Sequence, residues 1–336
     1  MEGRRLDLGL LGPLSLHAGY AGMAEAQPAG ALPMVLLARS SGHLSLGAAQ
    51  GAAAELDPAA CRRHGVPVVR RPLGGGTVRV DADQLNYFFL FPAGSGPARP
   101  AAAFSLVVPV VEAVHHAFGL PVTGAGGQDF WCRGRKIGGT GAATLGHTLI
   151  LGGSFILDFD VPAFTRCVAA PSPGFREWLG EALAGSLTSW AGEGVDGVAA
   201  AAVAEAFWAA LAAQGWRLQP SAPSAAERAA MAEAQEELGD VDWEDGMRRR
   251  VPHGIKLKSG AFLTERHWDA GQWLRVWTDA GRFRRVAASA FPAGLGEPLS
   301  GFGPEDGRFA HLLDQALGAA APLWRERLLA TAVWAD

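Results

Sequence analysis

Residues 66–80 read VPVVRRPLGGGTVRV, and the three consecutive glycines inside this stretch constrain the fold more than any other feature of the chain. A glycine triplet propagates neither helix nor strand. The β-leaning runs on either side are therefore separate strands, joined by a loop with no side chains. A plain hairpin needs one or two glycines. A third lets a ligand lie directly on the main chain, where successive N–H groups form an anion-binding concavity. Arg70 and Arg71 add fork-shaped donors matched to phosphate or carboxylate. The same residues also fit a flexible turn with surface arginines. Neither a G-x-x-x-x-G-K-[ST] loop nor a G-x-G-x-x-G opening a helix occurs.

The rest of the first half alternates in the same way. MVLLA (34–38), HLSLG (43–47), YFFLF (87–91) and TLILGGSFILDFD (148–160) are short apolar runs bounded by Gly and Pro, and read as strands. DPAACRRHG (57–65) reads as a helix with Asp57 at the N-cap and Pro58 at the first position. FSLVVPVVEAVHHAFG (104–119) reads as a helix with Pro109 near its first turn or kinking it. From Pro171 helices dominate, one carrying Phe175, Trp178, Leu179, Leu183, Leu187 and Trp190 on one face, a second closed by Gly215. RLQPSAPSAAERAA is a Pro/Ser/Ala linker into an acidic helix. Alternating residues around Asp279-Ala280-Gly281 then give a hairpin, and two helices near 306–318 and 320–333 close the chain. The expected organisation is α+β, with mixed and antiparallel sheets flanked by helices over residues 1–219. A linker and helix follow over 220–245, then a small α+β domain over 246–336.

With 336 residues, 49% hydrophobic and 18% charged, the chain is long enough for two domains. A net charge of −4 gives no basic field for nucleic acid. The three cysteines, Cys61, Cys132 and Cys167, have no metal-ligand spacing and fit a reducing cytoplasm. The leucines near the N-terminus are interrupted by Asp7, Gly12 and Pro13, so neither a signal peptide nor a membrane span is expected.

A second informative stretch is QDFWCRGRKIGGTGAA (128–143). RGRK reads as a hairpin turn, and Lys136 opens a strand followed by the pair Gly138 and Gly139. A lysine there either points inward and needs an anionic partner, or is a solvated edge-strand residue.

Together the two stretches resemble the catalytic domain of the lipoate-protein ligase family. The family pattern has two arginines, two variable residues, three glycines and an aspartate-bearing turn before an asparagine. A later Asn-Asp pair precedes a G-[RK]-K-[IV]-x-G strand. Here the pattern falls on Arg70, Arg71, Gly74, Gly75, Gly76, Asp81, Asn86, Asp129 and Lys136, and covers roughly residues 30–215. FREWLGEALAGSLTSW is similar to the helix closing that domain, and the tail resembles the family's accessory domain.

The resemblance implies a biotin/lipoate ligase-like fold and an ATP-dependent ligase. Lipoate or octanoate becomes acyl-AMP, and the acyl group passes to a lysine of a lipoyl carrier domain. It implies Lys136 as the catalytic cation and Arg70 or Arg71 with the amides of Gly74, Gly75 and Gly76 on the phosphates. Asp129 would place Mg²⁺ or the nucleotide, Asn86 would orient the pocket floor, and Gly138 and Gly139 would line the site. A monomer without membrane or nucleic-acid partners is expected. The sequence departs from the pattern at Gln128 (usually Asn), Val80 (often His), Gly152-Gly153 (usually His-Gly) and the bare loop GAAQGAAA (47–54). These departures leave the acyl chain open.

Two rivals share the fold. One is an octanoyl- or lipoyltransferase working through a cysteine thioester without ATP, with Cys132 beside Arg133 and Arg135 as its thiol. The other is a non-catalytic carrier-binding homologue. His115-His116 lacks a third ligand for a metal site, and the arginines at 248–250 read either as a solvated segment or as a contact for an acidic carrier.

Overall fold

The computed structural model describes residues 1–124, 128–249, 251–292 and 295–334. The chain begins β1 (Glu2–Leu11), α1 (Pro13–Glu25), β2 (Met34–Ser40), β3 (His43–Leu46), α2 (Ala52–Glu55), α3 (Pro58–Arg63), β4 (Val68–Arg70), β5 (Val78–Val80) and β6 (Gln84–Pro92). It continues through α4 (Pro100–Ala117), β7 (Val122–Thr123), β8 (Asp129–Cys132), β9 (Arg135–Leu145), β10 (Thr148–Ile156), α5 (Val161–Thr165) and α6 (Pro173–Ser186). Next come α7 (Ala200–Ala213), β11 (Arg217–Pro220) and α8 (Ala225–Leu238). The last elements are β12 (Gly254–Lys258), β13 (Ala261–His267), β14 (Trp273–Asp279), β15 (Arg282–Ala288), α9 (Gly307–Leu317) and α10 (Ala321–Thr331).

These elements form two compact units. The first comprises Met1–Ala52, Pro58–Cys167 and Leu187–Asp245, the second Ala53–Asp57, Val168–Ser186 and Gly246–Asp336. The first is built on an eight-stranded sheet in the order β11-β1-β2-β6-β10-β9-β8-β7. β11, β1 and β2 run parallel and the remaining pairs antiparallel, which makes the mixed α+β architecture expected from the sequence.

Every residue of β6 is buried, because both faces of the sheet are covered. Tyr87, Phe89 and Phe91 enter a core with the valines of α4 and with Phe207 of α7, while Phe88 and Leu90 enter another with Leu16 and Tyr20 of α1. Period-two alternation along one apolar strand thus feeds two cores.

Several elements differ from the sequence reading. β1 and β11, unforeseen, pair in parallel, so part of the expected linker is a strand. α4 starts at Pro100, which suits the first turn, and Pro109 lies in its interior. This helix also has the length and mean hydropathy (1.3) of a membrane span, which the sequence reading overlooked; its Val107, Val110, Val111 and Val114 are buried in the core. Leu187 and Trp190 fall beyond the end of α6.

A small three-stranded sheet, β4-β3-β5, carries the glycine triplet between β4 and β5. α8 lies against α1 at Gly22, where a Cβ would sit 2.4 Å from the Ala230 carbonyl oxygen. The same helix is anchored by Glu227, 3% exposed. Its carboxylate accepts from Arg4 at 2.5 and 3.0 Å, from Gln27 at 3.0 Å and from the Ser224 backbone at 2.7 Å.

In the second unit the sheet order is β12-β13-β14-β15, all antiparallel. Ala280 (φ +51°) and Gly281 (φ +70°) make the expected hairpin. α6 packs on β12 and β13, with Ser172 capping the Phe175 N–H at 3.0 Å. The Ser172 hydroxyl also bonds Glu265, which pairs with Arg275, whose guanidinium lies 5.0 Å from the Trp178 ring centre. Arg250 lies outside the described residues. Arg249 donates to the carbonyls of Ala54 (2.5 Å), Ala169 and Gly254 (3.3 Å), so its guanidinium is spent inside this unit.

Burial alone would raise the Glu227 carboxyl, but hydrogen bonds from Arg4, the Ser224 backbone and Gln27 hold it down to about 2. A lowered carboxyl contributes stability above its unfolded value, about 4.3, and loses it as pH falls toward the folded value. The stability of the first unit should therefore drop between about pH 5 and pH 2. In urea titrations Glu227→Gln should be less stable at pH 7 and show a shallower acid decline; an unchanged slope would contradict this anchor.

Candidate active site

The glycine loop is shaped from beneath by one buried side chain. Arg71 is 9% exposed. One terminal nitrogen donates to the Ser45 carbonyl (2.7 Å) and hydroxyl (3.3 Å), the other to the carbonyls of Gly74 (2.9 Å) and Gly76 (2.7 Å). All peptide bonds here are trans, so each carbonyl drawn toward Arg71 sends the following N–H the opposite way. The Gly75 and Thr77 N–H groups consequently point away from the guanidinium. Gly75 has φ +102°, a conformation open to glycine.

The structure thus gives Arg71 a task other than the phosphate contact expected of it: it builds the cradle. Gly47 sits against the same loop, where a Cβ would lie 2.0 Å from the Gly75 oxygen. Gln50 ties the two segments together, accepting from the Gly47 N–H at 2.9 Å and the Thr77 hydroxyl at 3.1 Å. The segment 47–50 is therefore the second wall of the cradle.

Lys136 is turned by a register shift. Phe130 pairs with Gly138 but Trp131 pairs with Lys136, leaving Ile137 as the extra residue of a bulge, a device that re-aims side chains. The Lys136 ammonium meets Asp129 at 2.7 Å, both side chains about a quarter exposed (27% and 24%). The anionic partner that an inward lysine needs is thus Asp129. The pair lies across Gly139, where a Cβ would stand 3.1 Å from Nζ and 3.2 Å from Oδ1. Gly138 instead packs toward Phe130 and the Ser154 carbonyl.

Two residues along β9, on the same face, Gly141 meets the glycine loop: its Cβ would be 3.0 Å from the Gly74 oxygen. Cation and cradle therefore address one strand face about 7 Å apart. Asn86 shares a face with Phe88, which pairs with Gly152 opposite Gly141; its amide donates to the Ala38 carbonyl at 3.2 Å. Gly152 and Gly153, where the family pattern has His-Gly, are tightly filled. A Cβ would meet Phe88 at 2.7 Å and Leu73 at 2.8 Å from the first, and the Tyr87 hydroxyl at 2.4 Å from the second.

Arg70 stands at the rim. It donates to the Gln50 carbonyl and to Asp245 at 2.5 Å. The same Asp245 oxygen accepts from the Ala52 N–H at 3.0 Å. Sequence reasoning missed Asp245, because nothing local marks one acid in the acidic stretch after α8. It also missed Gly47 and Gln50. Their signal was the loop's small residues, which permit close backbone approach.

Cys132 is fully buried, and burial, then the Glu193 carboxylate, push its thiol up. Cys61 and Cys167 are buried as well. Of the histidine pair, His115 donates to the Val111 carbonyl and His116 contacts that of Val122, both at 2.8 Å. Among the described residues no group of three or more His, Cys, Asp or Glu is placed to hold a metal.

Known proteins share this arrangement of elements. The archaeal bi-partite lipoate protein ligase of Thermoplasma acidophilum, from a lipoylation system with an E2 lipoyl domain, superposes with a TM-score of 0.67. It is 19% identical and covers 74% of this chain and 98% of its own. A lipoate-protein ligase A bound with ATP gives 0.61 at 18% identity, covering 74% and 100%. LipL1 of P. falciparum in complex with lipoate gives 0.57 at 12% identity, covering 98% and 99%. At these identities the likeness establishes the fold. A lipoate–protein ligase of Streptococcus pyogenes serotype M5 (strain Manfredo) is 30% identical over 126 residues, 37% of this chain. That match spans about a third of the relative's own length (36%). Residues 23–210, more than half the chain, match the lipoyl protein ligase A/B catalytic domain, and the chain belongs to that family.

Proposed function

We propose that this protein is an ATP-dependent lipoate-protein ligase. A carboxylate oxygen of lipoate or octanoate attacks the α-phosphorus of ATP and pyrophosphate leaves. The amine of a carrier-domain lysine then attacks the acyl carbonyl of the acyl-adenylate, and AMP leaves. The observation that carries this reading is the placement of Lys136 and the glycine cradle on one face of β9. Charge builds on the equatorial oxygens of an in-line phosphoryl transfer, and fixed donors and cations stabilise it better than a nucleophile would. Lys136 is suited to bridge acyl carboxylate and α-phosphate, with the outward Gly75 and Thr77 amides on the phosphate chain.

Asp129 is the carboxylate beside Lys136, and Mg²⁺ binds through one or two carboxylates together with phosphates and water. One carboxylate therefore fits an ion that arrives with ATP and neutralises phosphate charge. The E2 lipoyl domain accompanying the archaeal relative and the ATP held by another support a lipoyl carrier as acceptor and ATP as donor. The buried, raised thiol of Cys132 argues against a thioester route through that residue.

The assay combines ATP, Mg²⁺, lipoate or octanoate and an apo lipoyl domain, following carrier mass and pyrophosphate. Lys136→Ala should lower pyrophosphate release by about 10²–10³ with an unchanged circular dichroism spectrum. Cys132→Ala should acylate the carrier within about twofold of wild type, since the buried thiol serves packing and a hydrogen bond to Glu193 and takes no part in the transfer. Loss of carrier acylation in that variant would favour the transferase.

Arg70 is held by Asp245, which stands where a phosphate would compete for the same guanidinium. Asp245→Asn should lower KM for ATP several-fold, because a neutral amide competes less well for a cationic fork. An unchanged or higher KM would remove Arg70 from the phosphate site.

A further inference from the structure

Beneath the glycine loop runs a hydrogen-bonded chain of side chains that the ligase reading does not use. His17 and Tyr20 of α1 and His43 of β3 are 3%, 0% and 0% exposed. The two imidazoles face each other Nε2 to Nε2 at 3.1 Å. His17 Nδ1 lies 3.3 Å from the Tyr20 hydroxyl, and His43 Nδ1 lies 2.9 Å from the Ser41 carbonyl. The Leu73 N–H, directly before the first loop glycine, lies toward the Tyr20 oxygen, Leu73 and Tyr20 share one core, and the Leu73 carbonyl accepts from the Ala48 N–H at 3.1 Å.

One proton arrangement satisfies this chain. A carbonyl only accepts, so His43 Nδ1 carries hydrogen and the neutral ring presents Nε2 as an acceptor. His17 must then donate from Nε2, which leaves its Nδ1 to accept from the Tyr20 O–H. The hydroxyl oxygen is thereby free to accept from Leu73. Both rings are neutral, with opposite tautomers. A proton on His43 Nε2 would set two donors face to face at 3.1 Å. A proton on His17 Nδ1 would strip the Tyr20 O–H of its acceptor.

We propose that Tyr20, His17 and His43 are positioning residues for the nucleotide-binding loop, acting through the Leu73 amide. This rests on the ligase reading for its catalytic consequence, though not for the structural link. Leu73 packs in one core with Tyr20 and is held at its carbonyl by Ala48, and so fixes where the triplet begins. Arg71 then sets the direction of the carbonyls that follow. His43 also pairs across the small sheet with Val80, the position before Asp81 where the family pattern often has histidine.

The groups facing the relay are cationic on the loop side. Arg71 comes from the β4–β5 connection, and Arg79 of β5 is paired with Asp81 at 3.1 Å. Burial, then His43 and Arg71, push His17 well down; burial, then Arg79 and Arg71, lower His43 despite its Ser41 hydrogen bond. Lowered imidazoles contribute fully above the free value of about 6.5 and lose that contribution as pH falls through their folded values. The loop should therefore loosen on acidification below about pH 6.5.

The test is hydrogen–deuterium exchange of the full chain, wild type against Tyr20→Phe, read on a peptide covering residues 73–77 and on peptides from β6 and β13. Tyr20→Phe keeps the ring stacked on Phe88 at 4.3 Å and deletes only the hydroxyl. The expected result is at least tenfold faster exchange in the loop peptide at pH 7.5, with the β6 and β13 peptides unchanged. Wild-type loop protection, corrected for chemical exchange, should also fall as pH drops below about 6.5. KM for ATP should rise about tenfold, with kcat within about twofold. Unchanged loop exchange, or acceleration spread evenly over β6, would overturn the proposal. If wild type releases no pyrophosphate while the loop peptide still responds to Tyr20→Phe, the ligase reading fails and the relay stands.

Discussion

The geometry of this site depends on a guanidinium buried under a loop. Arg71 has no carboxylate among its described partners; its terminal nitrogens are engaged by carbonyls and a hydroxyl. A buried cation without a counter-charge is costly, and here that cost has a use. By drawing the Gly74 and Gly76 carbonyls downward, Arg71 turns the following amides outward, and its charge makes the cradle electropositive. An anion on the outer face would relieve the charge beneath. Of the three glycines it is Gly75 that this carbonyl pattern requires, through its positive φ; a Cβ on Gly74 would meet its nearest atom at 3.9 Å and one on Gly76 nothing within 4 Å.

Glycine does comparable work on the sheet. Gly139 admits the Lys136–Asp129 pair, and Gly141 admits the loop backbone. A side chain at either position would separate cation from cradle. Gly152 is different, because the volume beyond it is taken by Phe88 and Leu73. Where the family pattern carries histidine, this chain has exchanged a polar side chain for apolar packing. The departure thus changes the lining of the site while the backbone frame remains.

Much of this was legible in the sequence. Strong apolar runs such as YFFLF gave strands, and Gly/Pro punctuation gave their limits. The glycine triplet stood out by residue type, whereas Lys136 and Asp129 were singled out through the family resemblance, because spacing alone left Lys136 open between a site residue and a solvated edge-strand lysine. Arg71 did not reveal its role: an arginine beside glycines reads the same whether it points at a ligand or at its own loop. β1 was missed because EGRRLDLGLL mixes charge with leucine and pairs in parallel with β11, more than 200 residues away. Asp245, Tyr20, His17 and His43 were missed for a related reason. Each matters through one long-range contact, and no local pattern encodes such a contact.

The proposed phosphate position, between the Lys136 ammonium and the outward amides of the glycine loop, is open to direct test. A crystal structure with a non-hydrolysable acyl-adenylate analogue, such as an acyl-sulfamoyl adenosine, tests it most directly. The group replacing the α-phosphate is expected beside Gly139 of β9, within hydrogen-bonding distance of Lys136 Nζ and the Gly75 or Thr77 N–H, with Arg71 still on the Gly74 and Gly76 carbonyls. An analogue bound elsewhere, or an Arg71 side chain swung out to meet it, would contradict that placement.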